Sequence, residues 1–334
     1  MKLESYDLNL EGWDSVASPI TSSVFFSSTW ILSAADGLHA APLCISCLDG
    51  NDVCAVCPGY VFTRGPFKVF YSAVPYGGVL GSSVGVTELL NMLPAFLKNK
   101  EVHRIRIQPL PDHSLHHELY HELPIKIPVL NLTSFAGDDL LTHLNSKRSR
   151  GVKRAIRNGI EVRRASSLSE IYDFYSLYRQ SMSRNTGTSK YSLNYFTNLF
   201  ESPGRSGGLL YYMACYKNQA IAAIAVVVSN GWAYYLHGGM NYNFRKHSAN
   251  DLLFYTAVSD AQAAGVSHFD YGATSPGDTE LLRYKTKWGS SVVDVPVLEA
   301  NLNPVMCRIM DGLIWVLSLP AVASLYNKFK PGRK

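Results

Sequence analysis

The chain has 334 residues, of which 47% are hydrophobic, 17% charged and 12% aromatic. At roughly 100–200 residues per domain this length predicts two domains or one large α/β unit, and the apolar share excludes a disordered chain. Thirty-one Lys and Arg against 26 Asp and Glu leave +5, too mild an excess to define a nucleic-acid binder, and six cysteines are too few for a disulfide framework.

The first residues, Met1 to Asp7, hold no apolar run of the secretory type, and no window reaches the roughly 20 apolar residues of a spanning helix. The expected location is therefore cytoplasmic. Ala41 to Cys47, a turn at Asp49-Gly50-Asn51, and Val53 to Phe62 read as a hairpin. Phe67 to Ala73 is a further strand, followed by the loop Pro75-Tyr76-Gly77-Gly78, a helix over about Thr87 to Leu97, and a strand from His103 to Ile107. Next comes the most charged stretch, Ser146 to Arg157. As a helix it sets Lys147, Arg150, Arg154 and Arg157 on one face. Helices at Glu170 to Ser183, with Ser167 in a capping box, and at Ser192 to Glu201 follow it.

The second half is cleaner. Strands at Leu209 to Tyr216 and Ala220 to Ser229 lead to Asn230-Gly231, a strong two-residue hairpin signal, and then to the aromatic strand Trp232 to His237. A loop over Gly238 to His247 precedes a helix from Asn250 to Ala264, for which Ser248 and Asp251 fit a capping box, and a strand from Val266 to Tyr271. Hairpin, strand, Gly-Gly loop, helix and strand thus occur twice, about 160 residues apart. This duplication predicts an α/β fold with domains at 1–140 and 141–300, the second opening with the basic helical segment, and a helical tail at 301–334.

Several chemical motifs are set aside on spacing. His117-Glu118-Leu119-Tyr120-His121 satisfies H-E-x-x-H, but Pro109, Pro111 and Pro124 bracket it, and a His-rich surface turn is expected rather than a zinc helix. Cys44, Cys47, Cys54 and Cys57 mimic zinc knuckles. The hairpin pairs Cys44 with Cys57 and Cys47 with Cys54, and neighbours three apart in a strand point to opposite faces, so buried thiols are expected and no metal site. No phosphate-binding P-loop, dinucleotide fingerprint or G-x-S-x-G elbow occurs. What remains is Arg245-Lys246-His247-Ser248-Ala249-Asn250, where two cations and free backbone N–H groups meet a helix N-terminus, a recipe for holding phosphate. Gly238-Gly239 just upstream invites close approach of a ligand.

A strand, a cationic loop and a phosphate-holding helix resemble the cofactor core of the GNAT acyltransferases, although Arg245, Ser248 and Asn250 stand where the signature has Arg or Gln followed by two small residues. The wider pattern resembles the FemAB-like branch, tandem GNAT enzymes of peptidoglycan cross-bridges and relatives in polysaccharide loci. Its residues are Pro75-Tyr76-Gly77-Gly78, the run from Lys153 through Arg157 to Gly159, Phe174-Tyr175-x-Leu177-Tyr178, Tyr191-Ser192-x-x-Tyr195-Phe196, Tyr234 to Gly239, Phe269-Asp270-Tyr271-Gly272, and Leu282-Arg283-Tyr284-Lys285-x-Lys287-Trp288-Gly289.

The resemblance implies two tandem GNAT-like mixed-sheet domains with flanking helices. It implies transfer of an aminoacyl or acyl group to an amine of a cell-envelope precursor, a nucleotide- or lipid-linked sugar or peptide. Aminoacyl-tRNA or acyl-CoA is the donor, with no tightly bound cofactor. The position of Lys285, after the aromatic Tyr284, is implicated in stabilising the reacting carbonyl, and a fixed cation there is worth ~3 kcal/mol or more. His237, Asp270 or the substrate supplies the base. Arg148, Arg154, Arg157, Tyr76, Arg245, Lys246, Ser248 and Asn250 are the expected substrate and phosphate contacts. Two other readings stand beside this one: an acyl-CoA-dependent N-acyltransferase on an amino sugar in polysaccharide biosynthesis, and a non-catalytic protein that binds an envelope precursor. The apolar stretch from Met310 to Tyr326, with Trp315 and a basic end, is expected to pack on the second domain or to lie at a membrane interface.

Overall fold

In the computed structural model the described residues are 1–135, 140–185, 189, 191–204, 208–274 and 277–318. Strand β1 (Lys2–Asp7) and helices α1 (Trp13–Ala17) and α2 (Ser28–Leu38) precede the hairpin β2 (Ala41–Asp49) and β3 (Asp52–Cys57). Strands β4 (Tyr60–Arg64), β5 (Phe67–Tyr71) and β6 (Leu80–Gly81) follow, then α3 (Ser83–Lys98), β7 (Arg104–Ile107) and β8 (His121–Asn131). The second half runs α4 (Leu140–His143), α5 (Ser146–Arg157), β9 (Ile160–Arg164), α6 (Leu168–Asn185), α7 (Leu193–Leu199), β10 (Leu209–Tyr216), β11 (Gln219–Ser229) and β12 (Trp232–Met240). It closes with α8 (Ala249–Ala263), β13 (His268–Asp270), α9 (Thr279–Thr286), β14 (Ser291–Asn301) and α10 (Pro304–Ser318).

Local chemistry starts these elements. Ser27, Ser82, Asn145, Ser192 and Asp278 each accept a backbone N–H of the first helical turn, for α2, α3, α5, α7 and α9. Asn230 and Gly231 both take positive φ, 50° and 75°, as a two-residue turn between β11 and β12 requires. The single strand expected over Val53 to Phe62 breaks at Pro58-Gly59 into β3 and β4, since proline has no N–H for the ladder.

The strands form one continuous mixed sheet in the order β6-β3-β2-β4-β5-β7-β14-β8-β13-β12-β11-β10-β9, with β1 on β2. Each half contains one parallel pair bridged by a helix: β5 with β7 through α3, and β12 with β13 through α8. The halves then exchange their last strands. β8 leaves the first half to lie beside β13, and β14 leaves the second to lie beside β7, while β8 and β14 pair with each other from Ser291↔Val129 to Glu299↔His121. The two expected sheets are therefore joined edge to edge.

Apolar side chains of α1, α2, α6 and α7 cover one face of this sheet in a core drawn from both halves, including Trp13, Trp30, Phe174, Tyr195 and Tyr234. On the other face α3 packs against the first half, through Leu89, Leu93 and Leu97. There α5 and α8 pack against the second half, through Val152, Ala155, Leu253 and Val258. Gly37 of α2 is needed where the helices cross, because a Cβ there would lie 2.2 Å from the Tyr195 backbone. Among the described residues no helix is long and apolar enough to cross a membrane.

Candidate active site

Register sets the site. On β12, Tyr234 lies opposite Val227, Tyr235 opposite Val226 and His237 opposite Ala225, so Leu236 is an extra residue, a β-bulge. Simple alternation would put His237 on the face of Tyr235. The bulge returns it to the face of Tyr234, against α6 and α7. Asp270 of β13 is the direct partner of Tyr234.

Asp270 is fully buried. One carboxylate oxygen accepts the Gly272 N–H at 2.5 Å, and the Tyr76 hydroxyl from the other half of the chain lies against the carboxyl. Burial raises its pKa from 3.8 to about 6, opposed by Tyr76, the Gly272 N–H and the Lys285 charge. Burial likewise pulls Lys285 from 10.5 down to about 8, opposed by Asp270 and Asp278. The Lys285 ammonium donates to the Gly272 carbonyl at 2.7 Å, the Ala273 carbonyl at 3.2 Å and Thr274 Oγ1 at 3.1 Å. An ammonium has three N–H bonds, and each has an acceptor here.

This corrects the expectation for Lys285. It is 5% exposed, and it clamps the loop after β13 instead of presenting a cation to an open groove. A groove of about 680 Å³ opens along the outer side of α6, lined by Tyr172, Tyr175 and Arg179 among others, and neither Lys285 nor Asp270 lines it.

His237 stands apart from this pair, boxed by the rings of Tyr178, Tyr191, Tyr195 and Phe196 at centroid distances of 4.5–5.9 Å. Its Nε2 is 3.1 Å from the Tyr195 hydroxyl, and burial lowers its pKa to about 3. The close approach read into Gly238-Gly239 is taken by the protein itself, since a Cβ on Gly239 would sit 2.3 Å from the Leu177 carbonyl carbon of α6.

Arg148 was expected to meet phosphate, and the structure buries it instead. Its guanidinium pairs with Asp251 of α8 and lies 4.6 Å over the Tyr284 ring, while the Tyr284 hydroxyl donates to Asp251 at 3.4 Å. Tyr284 thus belongs to the α5–α8 contact, and its hydroxyl pKa is pushed up by burial. The expected capping box at Ser248 also fails: Ser248 takes φ 61° with no side-chain cap, because Asp251 is turned to Arg148.

The remaining predicted cations are at the surface. Arg154 and Arg157 are exposed on α5, Arg245 and Lys246 on the turn before α8. Arg245 stacks 4.3 Å from the Tyr242 ring, and Asn250 donates to the Met240 sulfur at 3.4 Å. Lys287 stood in the motif around Lys285 without a site role of its own. Partial desolvation, then the charges of Lys147, Arg283 and Arg148, hold its pKa below the ordinary lysine range, so α5 and α9 gather cations on one surface. Thr274 was passed over, since a hydroxyl that matters only through folding contacts leaves no spacing signal, and Tyr195 entered only as part of a motif, without a role.

His117 lies in a turn and His121 opens β8, so the two imidazoles share no helix face. Cysteine pairing is shifted from expectation: Ile45 faces Cys57 and Cys47 faces Ala55, with Cys54 the extra residue of a bulge. All six thiols are free, and no cluster of His, Cys, Asp and Glu suited to a metal is present among the described residues.

Residues 146–286 match the family pattern of the acetyltransferase (GNAT) domain. Among solved structures, that of FemX aligns with a TM-score of 0.66 at 12% identity, over 92% of this chain and 99% of that one. The chain has the tandem GNAT fold of the FemAB-like proteins. L-PGS from Bacillus licheniformis aligns with this tandem GNAT chain at a TM-score of 0.62 and 12% identity, over 92% of this chain and 98% of that one. A tandem GNAT protein from the clavulanic acid biosynthesis pathway gives 0.56 at 11% identity, over 89% and 97%. No curated protein matches the sequence. The GNAT segment contains α5, α8, β13 and α9, and hence the clamp, the α5–α8 ion pair and the surface cations other than Lys287.

Proposed function

We propose that the chain is an N-acyltransferase that takes an aminoacyl or acyl group from a phosphate-bearing donor and places it on an amine of a cell-envelope precursor. The observation that carries this reading is the gathering of Lys147 and Arg283, within the GNAT segment, and Lys287, just past its end, on the surface shared by α5 and α9, where partial desolvation and then the neighbouring cations hold the Lys287 pKa low. Such a cluster is stabilised by a polyanion. The fold neighbours named FemX and L-PGS support an envelope substrate.

The chemistry needs no protein nucleophile, because the acceptor amine attacks the activated carbonyl directly. Of the two protein bases expected, His237 near 3 is too weak and Asp270 near 6 is fully buried, which leaves the base to the substrate itself. Lys285 is then a positioning residue that holds Gly272 to Thr274 in place. Arg154, Arg157, Arg245 and Lys246, with the Ser248–Asn250 turn, extend the cationic surface for the donor's phosphates.

Offering purified protein charged tRNA and acyl-CoA separately, with amines of nucleotide- and lipid-linked precursors, and scoring the amide by mass tests the reading and names the donor. Product from charged tRNA identifies an aminoacyltransferase; product from acyl-CoA on an amino sugar identifies the polysaccharide alternative. Arg283→Ala with Lys287→Ala is expected to raise donor KM about tenfold. No product from either donor, together with precursor binding, would leave the non-catalytic reading.

A further inference from the structure

Helix α10 is attached to the body by its polar side. Arg104 of β7 makes a two-bond contact to Asp311, at 2.9 and 2.7 Å, and Cys307 donates to the His103 carbonyl. Asp311 and Cys307 are one turn apart on the inner side. The opposite side therefore faces outward, and it is apolar: Val305, Ile309, Leu313 and Val316, spaced four, four and three, are 64%, 48%, 50% and 41% exposed. Ile314, on the side of Cys307 and Asp311, and Trp315, at the edge between that side and the stripe, are also 55% and 64% exposed. The expected packing of this segment onto the second domain is not what the described residues show: its anchors, Arg104 and His103, belong to the first half.

An apolar stripe of this size facing water is costly unless covered. Cations lie on and near it: Arg308 is exposed on the helix, and Lys98 lines the cleft at its N-terminal end together with Glu101 and Pro304. An apolar face with a tryptophan at its margin, an arginine on the helix and a lysine at its N-terminal end complements an anionic lipid surface. A stable protein–protein contact usually buries about 1,600 Å² in all, which a stripe one side chain wide does not supply.

We propose that α10 lies in the headgroup region of an anionic membrane leaflet, held by Val305, Ile309, Leu313 and Val316 and by the cations on and near it. This is independent of the acyl-transfer reading. The test is co-sedimentation of the full chain with vesicles of phosphatidylcholine alone and of phosphatidylcholine with phosphatidylglycerol. Binding is expected only to the anionic vesicles, falling with salt, with a blue shift of tryptophan emission that Trp315→Phe removes; Trp13, Trp30 and Trp288 are already buried. Ile309→Asp with Leu313→Asp is expected to lower vesicle affinity at least tenfold while the thermal transition, which these outward side chains do not support, stays unchanged. Failure of the wild type to bind anionic vesicles at low salt overturns the proposal. So does a dimer that the double variant dissociates, or protection of the stripe by residues 319–334 in lipid-free protein.

Discussion

Tyr234 and Asp270 are direct partners across the parallel pair β12–β13, and the Tyr76 ring from the other half of the chain stands 5.7 Å from Tyr234 and against the Asp270 carboxyl. A carboxyl sealed in this way favours its protonated form. Its folded pKa, about 6, exceeds the unfolded value of 3.8, so the folded state binds the extra proton. Asp270's contribution to stability is therefore full below pH 4 and is lost as pH rises through 6. Relative to Asp270→Asn, the wild type is expected to lose on the order of 2 kcal/mol between pH 4 and 6.5. Urea unfolding of both proteins across that range checks this; parallel pH curves would show that the carboxyl is not sealed.

Lys285 of α9 donates to Gly272, Ala273 and Thr274 of the loop after β13. Lys285→Met keeps the bulk and removes these bonds, leaving two carbonyls and a hydroxyl unmet at about 1–3 kcal/mol each, offset in part because a buried cation is gone. A net loss of about 2 kcal/mol is expected, with faster hydrogen exchange at the Thr274 amide, which bonds the Lys126 carbonyl. A solvated surface lysine would give no change in either.

Much of the second half was legible in the sequence, because β10, β11 and β12 are apolar runs punctuated by Lys217-Asn218 and Asn230-Gly231, both in left-handed turns. The strands that interlock the halves were not. β8 carries Pro124 and Pro128, and β14 carries Pro296 opposite Pro124, so both read as broken strands. Their pairing depends on contacts far apart in sequence that no local pattern encodes. Among the candidate site residues, Lys285 and Asp270 do share one neighbourhood, as adjacent motif pieces suggested. Charge alone could not say that Arg148 is buried and Arg154 exposed on the same helix, since that depends on where Asp251 of α8 lands.

Arg148 and Asp251 form a buried pair at the α5–α8 contact, where Gly151 leaves room: a Cβ on Gly151 would lie 2.0 Å from the Asp251 carboxylate. Arg148→Ala leaves that carboxylate uncompensated, and a loss of about 3–5 kcal/mol is expected. Arg148→Met with Asp251→Leu removes both charges and is expected to recover most of it. A double-mutant cycle by chemical unfolding measures the coupling; additive losses would mean the two charges do not face each other in solution.

His237 is held neutral by its aromatic box. Because its folded pKa, about 3, lies below the ordinary histidine value of 6.5, its contribution is full above pH 6.5 and is lost as pH falls toward 3. Relative to His237→Gln, the wild type is expected to lose about 2 kcal/mol between pH 7 and 5. Nitrogen chemical shifts of the imidazole should stay those of the neutral ring throughout that interval, with no inflection near 6.5 in any acyl-transfer profile assignable to this residue. A ring that titrates near 6.5 would mean that Tyr178, Tyr191, Tyr195 and Phe196 open to water, and that His237 is free to exchange protons with a bound substrate.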